Sequence, residues 1–185
     1  MLDLPTASKL VRDAYKTRNQ RKMRKANDKI MREWVLSPSK DLYHLSVYSY
    51  VLAKMLSKPR FMGRKYSDKH KEIDSILTHL VSSAQRNDHK LFSKALGLLK
   101  ESIQGVESSD SRYIMNMMGK GRLKTAAILY AQGLSLSAAS EMTGVERQEI
   151  MDYAGKTLMF DRMGEGESLH KRLKKAKKIL TGGKK

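Results

Sequence analysis

Between Lys120 and Thr157 the chain reads KGRLKTAAILYAQGLSLSAASEMTGVERQEIMDYAGKT, and no other stretch limits its possible folds as tightly. Ala126, Ala127, Ile128, Tyr130 and Ala131 predict a helix of small and apolar residues that Gly133 ends, and Ser135 is placed to cap the next helix. Leu136, Ala139 and Met142 recur at three-residue spacing along one face of that short second helix. Gly144 follows where a sharp turn needs a positive φ. Val145, Ile150 and Tyr153 then supply the buried face of a third helix, leaving Arg147, Gln148, Glu149 and Asp152 pointing outward. Two short helices joined by a glycine turn and laid on a preceding helix make a helix-turn-helix, the motif that places its second helix in a major groove.

Ala126, Ala127, Ile128, Tyr130 and Ala131, followed by Ala139, Glu141, Gly144, Val145 and Ile150, resemble the helix-turn-helix that closes a cyclin-like repeat of transcription factor IIB proteins. The core SLSAASEMTGV is also similar to the helix-turn-helix of small archaeal and bacterial antitoxins. Either resemblance covers only about forty residues, 120–157. It implies a transcription-associated DNA-binding protein of archaeal or bacterial type, with Arg147 and Gln148 as the base-edge candidates. Lys120, Arg122 and Lys124, just before the motif, are placed to hold the backbone. Two departures stand beside it. Ser140 occupies the position where such motifs often carry alanine, and the outward face of the third helix sets Glu146, Glu149 and Asp152 against Arg147. An acidic face is poorly suited to the neighbourhood of phosphates and suits a basic protein partner instead.

Charge decides what class of partner to expect. The 185 residues carry a formal net charge of +18, and the excess is concentrated at the two ends. Residues 9–32 hold ten Lys and Arg against Asp13 and Asp28, and residues 168–185 hold eight against no acid. A polyanion is the first expected partner, DNA favoured and structured RNA or the ribosome the alternative.

The intervening chain reads as helix throughout. Thr6 or Ser8 can cap a first helix running to about Trp34, with Met23, Ala26, Ile30 and Trp34 as its docking stripe. Arg18, Arg21, Lys22, Arg24, Lys25, Lys29 and Arg32 are its cationic surface, a candidate phosphate contact. Ser37, Pro38 and Ser39 break the chain. Leu42, Leu45, Tyr48, Leu52 and Met55 then mark a core helix, in which Tyr43, Tyr48 and Tyr50 read as packing and not as base-stacking groups. In the loop Lys58–Tyr66, Arg60, Arg64 and Lys65 alternate with Phe61 and Tyr66. That pattern can offer charge contacts and ring stacking to a nucleic acid, or simply anchor Phe61 in the core. Ile73, Ile76, Leu77, Leu80 and Val81 mark a helix to about Gln85, and Leu91, Phe92, Ala95, Leu96, Leu99 and Ile103 mark another that Gly105 ends. The short turn at Asn87 and Asp88 predicts an antiparallel hairpin. A short helix is expected from Ser108, Ser109 and Asp110, carrying Tyr113, Ile114, Met117 and Met118, after which Gly119 and Gly121 bend the chain into the helix-turn-helix. DRMGEGES after Phe160 reads as a joint. The last segment wraps a stripe of Leu169, Leu173, Ala176 and Leu180 in Lys171, Arg172, Lys174, Lys175, Lys177 and Lys178, a candidate nucleic-acid tail.

Enzymatic chemistry has no foothold in the spacing. His44, His70, His79, His89 and His170 form no ligand pair, so no metal site or cofactor is expected. GKGRLKT lacks the gap of a phosphate loop and follows a helix, and no nucleophile motif is present. With no cysteine and no run of eighteen apolar residues, the expectation is a cytoplasmic protein with no membrane partner. The sequence thus predicts an all-α bundle of about eight helices. Residues 1–36 form a basic N-terminal helix, 37–160 a helical core containing the helix-turn-helix, and 161–185 a linker and basic tail. The expected function is non-catalytic nucleic-acid binding, with a possible protein partner at Glu146, Glu149 and Asp152.

Overall fold

The computed structural model describes residues 2–37, 39–108 and 117–160. Among these the protein is all-α, with eight α-helices, two 3-10 turns and no strand. The chain divides into two compact units, Met1–Arg122 and Leu123–Lys185.

The first unit begins differently from the sequence expectation. Asp3, not Thr6 or Ser8, caps helix α1 (Leu4–Lys16): its carboxylate accepts the Thr6 N–H at 2.9 Å, and Pro5 sits in the first turn where its missing N–H costs nothing. These hydrogen bonds from Thr6 hold the Asp3 carboxyl below the usual range. Ser8 is buried and its hydroxyl donates to the Leu4 carbonyl at 2.8 Å.

The expected continuous helix to Trp34 is in fact two. After α1 the backbone turns through Arg18 at φ +50, and Asn19 caps α2 (Gln20–Leu36) by accepting the Lys22 N–H at 3.0 Å. No glycine or proline announces this break; a tertiary contact holds it. The Arg18 guanidinium donates to the Tyr15 carbonyl at 2.8 Å and forks onto both carboxylate oxygens of Asp74, which offsets the cost of a left-handed non-glycine residue.

The stripe Met23, Ala26, Ile30 and Trp34 is buried, and α2 packs against α3 (Lys40–Leu56). Ser39 caps α3, accepting the Leu42 N–H at 3.1 Å. Burial extends around most of α3, through Leu45, Val47, Tyr48, Val51, Leu52 and Met55, so α3 is the central element of this unit. A polar stitch joins it to α2. The buried Asn27 amide donates to the Ser46 carbonyl at 2.7 Å and to the Ser49 hydroxyl at 2.9 Å, so its polar burden is met inside the interface.

The loop after α3 folds into two 3-10 turns, Pro59–Met62 and Arg64–Tyr66. Phe61 and Tyr66 are buried, packed edge to face with centroids 5.5 Å apart, so neither ring is offered to a base. Helix α4 (Ser67–Gln85) packs against α1, and its buried His70 links three segments. Nε2 faces the Phe61 carbonyl at 2.7 Å; a carbonyl can only accept, so the ring proton sits on Nε2 and Nδ1 accepts from the Tyr15 hydroxyl at 2.6 Å. Burial pushes the pKa of that hydroxyl well up.

Helices α4 and α5 (His89–Ser108) form the expected hairpin. Asn87 turns the chain at φ +54 and the Asp88 carboxylate accepts the Leu91 N–H at 2.9 Å. Gly105 lies inside α5 and does not end it. Of the short helix expected after Ser108, residues 109–116 fall outside the described residues, and Met117 opens α6 (Met117–Ala131). Gly119 and Gly121 do not bend the chain, because both lie within α6. Gly121 has a packing reason: a Cβ there would meet Val47 Cγ1 at 3.1 Å and Val51 Cγ2 at 3.3 Å, so the lack of a side chain lets α6 approach α3.

In the second unit Thr125–Leu129 of α6 are all buried. Ser135 caps α7 (Leu136–Thr143), accepting the Ala138 N–H at 3.1 Å. Gly144 then takes a left-handed conformation, φ +66, and its N–H donates to the Ser140 carbonyl at 2.8 Å. Helix α8 (Arg147–Lys156) packs against α7, with Ala139, Val145, Ile150 and Ala154 buried. The order helix, glycine turn, helix is therefore as the sequence reads. The joint and basic tail, 161–185, lie outside the described residues.

Candidate nucleic-acid interface

Helix α2 presents Arg21, Lys22, Arg24, Lys25, Lys29 and Arg32 as exposed cations, with Asp28 as its exposed acid. The docking stripe fixes how they divide. Lys22, Lys25 and Lys29 line an open groove of about 380 Å³ against α1, together with Leu10, Asp13, Ala14, Thr17 and Ala26. Arg24 belongs to a different group. Together with Lys58 and Lys120 it lies close enough to Lys54 of α3 to lower the pKa of that ammonium, after burial, which is the larger cause. Three cations, from α2, the segment after α3 and the start of α6, thus lie within electrostatic reach of Lys54 in the first unit. The Lys54 ammonium also lies 5.5 Å from the centre of the Tyr50 ring.

A cluster of this kind costs folding free energy, because like charges brought together repel. A polyanion removes that cost and gains from it, since each phosphate neutralised releases condensed counterions. Arg24 and Lys120 are both candidates from sequence. Lys54 and Lys58 are not; they sit in and after a helix whose apolar content marks it as core. Their four-residue spacing before Pro59 is the one signal that places two cations at the end of α3.

The other sequence candidates separate by what their side chains already do. Arg18 is committed to Asp74 and to the Tyr15 carbonyl, with its guanidinium 4.5 Å from the Tyr15 ring centre; its pKa is raised chiefly by the Asp74 hydrogen bonds, and its role is structural. Arg60 is half-buried with its guanidinium 4.7 Å from the Phe61 ring centre. Arg64 and Lys65 are exposed, the Lys65 ammonium 5.5 Å from the Tyr66 ring. Arg122 is exposed near Tyr43, whose hydroxyl is pushed up to about 12 by burial while Arg122 pulls the other way. Lys124 is half-buried and belongs to the second unit. Lys171, Arg172, Lys174, Lys175, Lys177 and Lys178 lie outside the described residues.

The outward face of α8 has its own electrostatics. Arg147 and Lys156 are exposed, and so are Glu146, Glu149 and Asp152. The Gln148 amide donates to the Asp152 carboxylate at 2.9 Å, so in this conformation one of the two base-edge candidates is tied to an acid. Insertion of α8 into a major groove would bring three carboxylates toward phosphates with two cations to offset them.

Among the described residues no cluster of three His, Asp or Glu is arranged to hold a metal ion, and no helix is long and apolar enough to cross a membrane. In comparisons with known proteins no family model, curated protein or solved structure matches the chain.

Proposed function

We propose that this protein is a non-catalytic nucleic-acid-binding protein that grips the phosphate backbone of structured RNA. The observation that carries the reading is that Arg24, Lys58 and Lys120 all lie close enough to the partly buried Lys54 ammonium of the first unit to lower its pKa. Backbone and shape dominate the recognition of double-stranded RNA, whose bases are poorly accessible to side chains, so a cationic surface without a base-reading element suits it. The exposed cations of α2 extend the same character, and the basic ends of the chain would add sequence-independent contacts.

A second reading has its own support. The capped α7, the left-handed Gly144 and the exposed Arg147 at the start of α8 have the form of a helix-turn-helix, which favours transcription-associated DNA binding. The acidic α8 face weighs against it, and suits instead a basic protein partner at Glu146, Glu149 and Asp152.

Equilibrium binding to matched duplex DNA, duplex RNA and hairpin RNA, each across a salt series with excess competitor, separates the two. A preference for RNA that survives physiological salt supports the first reading. A preference for DNA that Arg147→Ala removes supports the second and sinks the first.

A further inference from the structure

On the α4–α5 hairpin lies a groove of about 290 Å³ that nucleic-acid binding leaves unused. Its apolar lining includes Ile76 and Ala95 together with Leu91 and Leu98, which are 48% and 46% exposed. The two leucines are seven residues apart on α5, so they stand one above the other on a single stripe, with Ala95 between them. Half-exposed leucines at heptad spacing form the kind of seam into which a helix sets its own apolar residues. The polar lining is Arg86, Lys94, His79, Ser82 and Ser83, with no carboxylate among the lining residues.

We infer that this groove docks an amphipathic helix of a partner protein, a helix with an apolar stripe flanked by Asp and Glu. Size and charge both select that occupant. From Ile76 to Ser83 the α4 wall spans about 10 Å, with Arg86 just past its end, and from Leu91 to Leu98 the α5 wall spans about 10 Å, which matches about two turns of a docked helix. Arg86 and Lys94 line the same groove as the leucines, so acids flanking the partner's stripe would meet cations. A stripe flanked by Lys or Arg would meet like charge. A second copy of this chain is disfavoured by its net charge of +18. The inference stands apart from the nucleic-acid reading, because it uses other residues and other chemistry.

The test uses the full-length protein and three labelled peptides of about three helical turns each. The first carries leucines at three- and four-residue spacing with flanking glutamates, the second has the same composition scrambled, and the third replaces glutamate by lysine. At physiological salt the first peptide binds and the other two bind at least about tenfold more weakly. Leu91→Ser with Leu98→Ser, which leaves charge unchanged, weakens the first peptide about tenfold or more. Arg86→Glu with Lys94→Glu inverts the preference toward the lysine peptide. Circular dichroism confirms that both variants remain helical, as replacements at exposed positions should. Equal binding of the scrambled peptide overturns the inference, because charge alone would then explain it. So does self-association of the protein that the leucine double variant abolishes, which would make the occupant a second copy. Loss of RNA affinity in the charge-reversed variant without any peptide binding overturns it as well, assigning the rim to nucleic acid.

Discussion

Neutralising the Lys54 cluster should have two opposite effects. Arg24→Gln, Lys54→Gln, Lys58→Gln and Lys120→Gln together remove Lys54 and the three cations that act on it. On a duplex each phosphate left without its cation should lower the slope of log affinity against log salt by about 0.9, so four of them lower it by about 3 to 4. At about 0.1 M salt the same slope corresponds to a loss of roughly three to four orders of magnitude in affinity. The free protein should respond the other way. Lys54 is charged in the folded state at a cost, from burial and from its three neighbours. Its folded pKa lies below the unfolded value of about 10.4, so the cost is present below the folded pKa and disappears as pH rises toward the unfolded one. Removing the charges removes that cost, and the variant should melt no lower than the parent, or slightly higher. Because Lys54 is largely solvated, the gain should stay within about 0.5 kcal/mol. Fluorescence anisotropy across salt and a thermal melt read both arms. An unchanged salt slope in a folded variant would refute the reasoning outright, and a large drop in melting temperature would show that these side chains serve the fold.

Three further outcomes follow from the same geometry. Arg18→Ala breaks the fork to Asp74 and leaves an unfavourable backbone angle unsupported; it should destabilise the first unit by about 1 to 3 kcal/mol in urea melts while leaving the salt slope of nucleic-acid binding unchanged. Gly121→Ala should be close to neutral, since a helix-propensity gain of about 1 kcal/mol opposes a contact with Val47 at 3.1 Å, whereas Gly121→Val should cost about 1 to 3 kcal/mol. Burial and Lys40 lower the His44 pKa against the opposing pull of Asp41. The unfolded chain therefore takes up the proton first, and stability should fall as pH drops below about 6.5 until the folded pKa is passed. His44→Gln should flatten that part of the melting profile against pH.

What the sequence made legible was local. Ser135 and Gly144 act through chain neighbours, and the stripe of Met23, Ala26, Ile30 and Trp34 follows from one helix's period, so each could be read without knowing what lay opposite. The break at Arg18 could not. Its cause is Asp74, distant in sequence, and the one local signal, Asn19 as a cap, stands inside a stretch with no glycine or proline. Gly119 and Gly121 show the converse error: a glycine pair read as a bend is an intact helix, and Gly121 is there because α3 presses close. Asn27 reads as one more polar residue on a basic helix until Ser46 and Ser49 supply its partners. The candidate site is hidden for the same reason. Arg24 and Lys120 belong to two unrelated basic stretches of sequence, and only packing of α2 and α6 with α3 sets them around Lys54.

The hydrogen-bonded join of Tyr15, His70 and the Phe61 carbonyl, reinforced by Arg18 and Asp74, makes the beginning of the chain depend on a segment synthesised much later. On the ribosome, α1 has no partner for its buried tyrosine until α4 has been made and has cleared the exit tunnel. Helix α2 meets its main partner α3 earlier, so the α2–α3 pair is complete in the chain while α1 still waits for α4 to lock it in place.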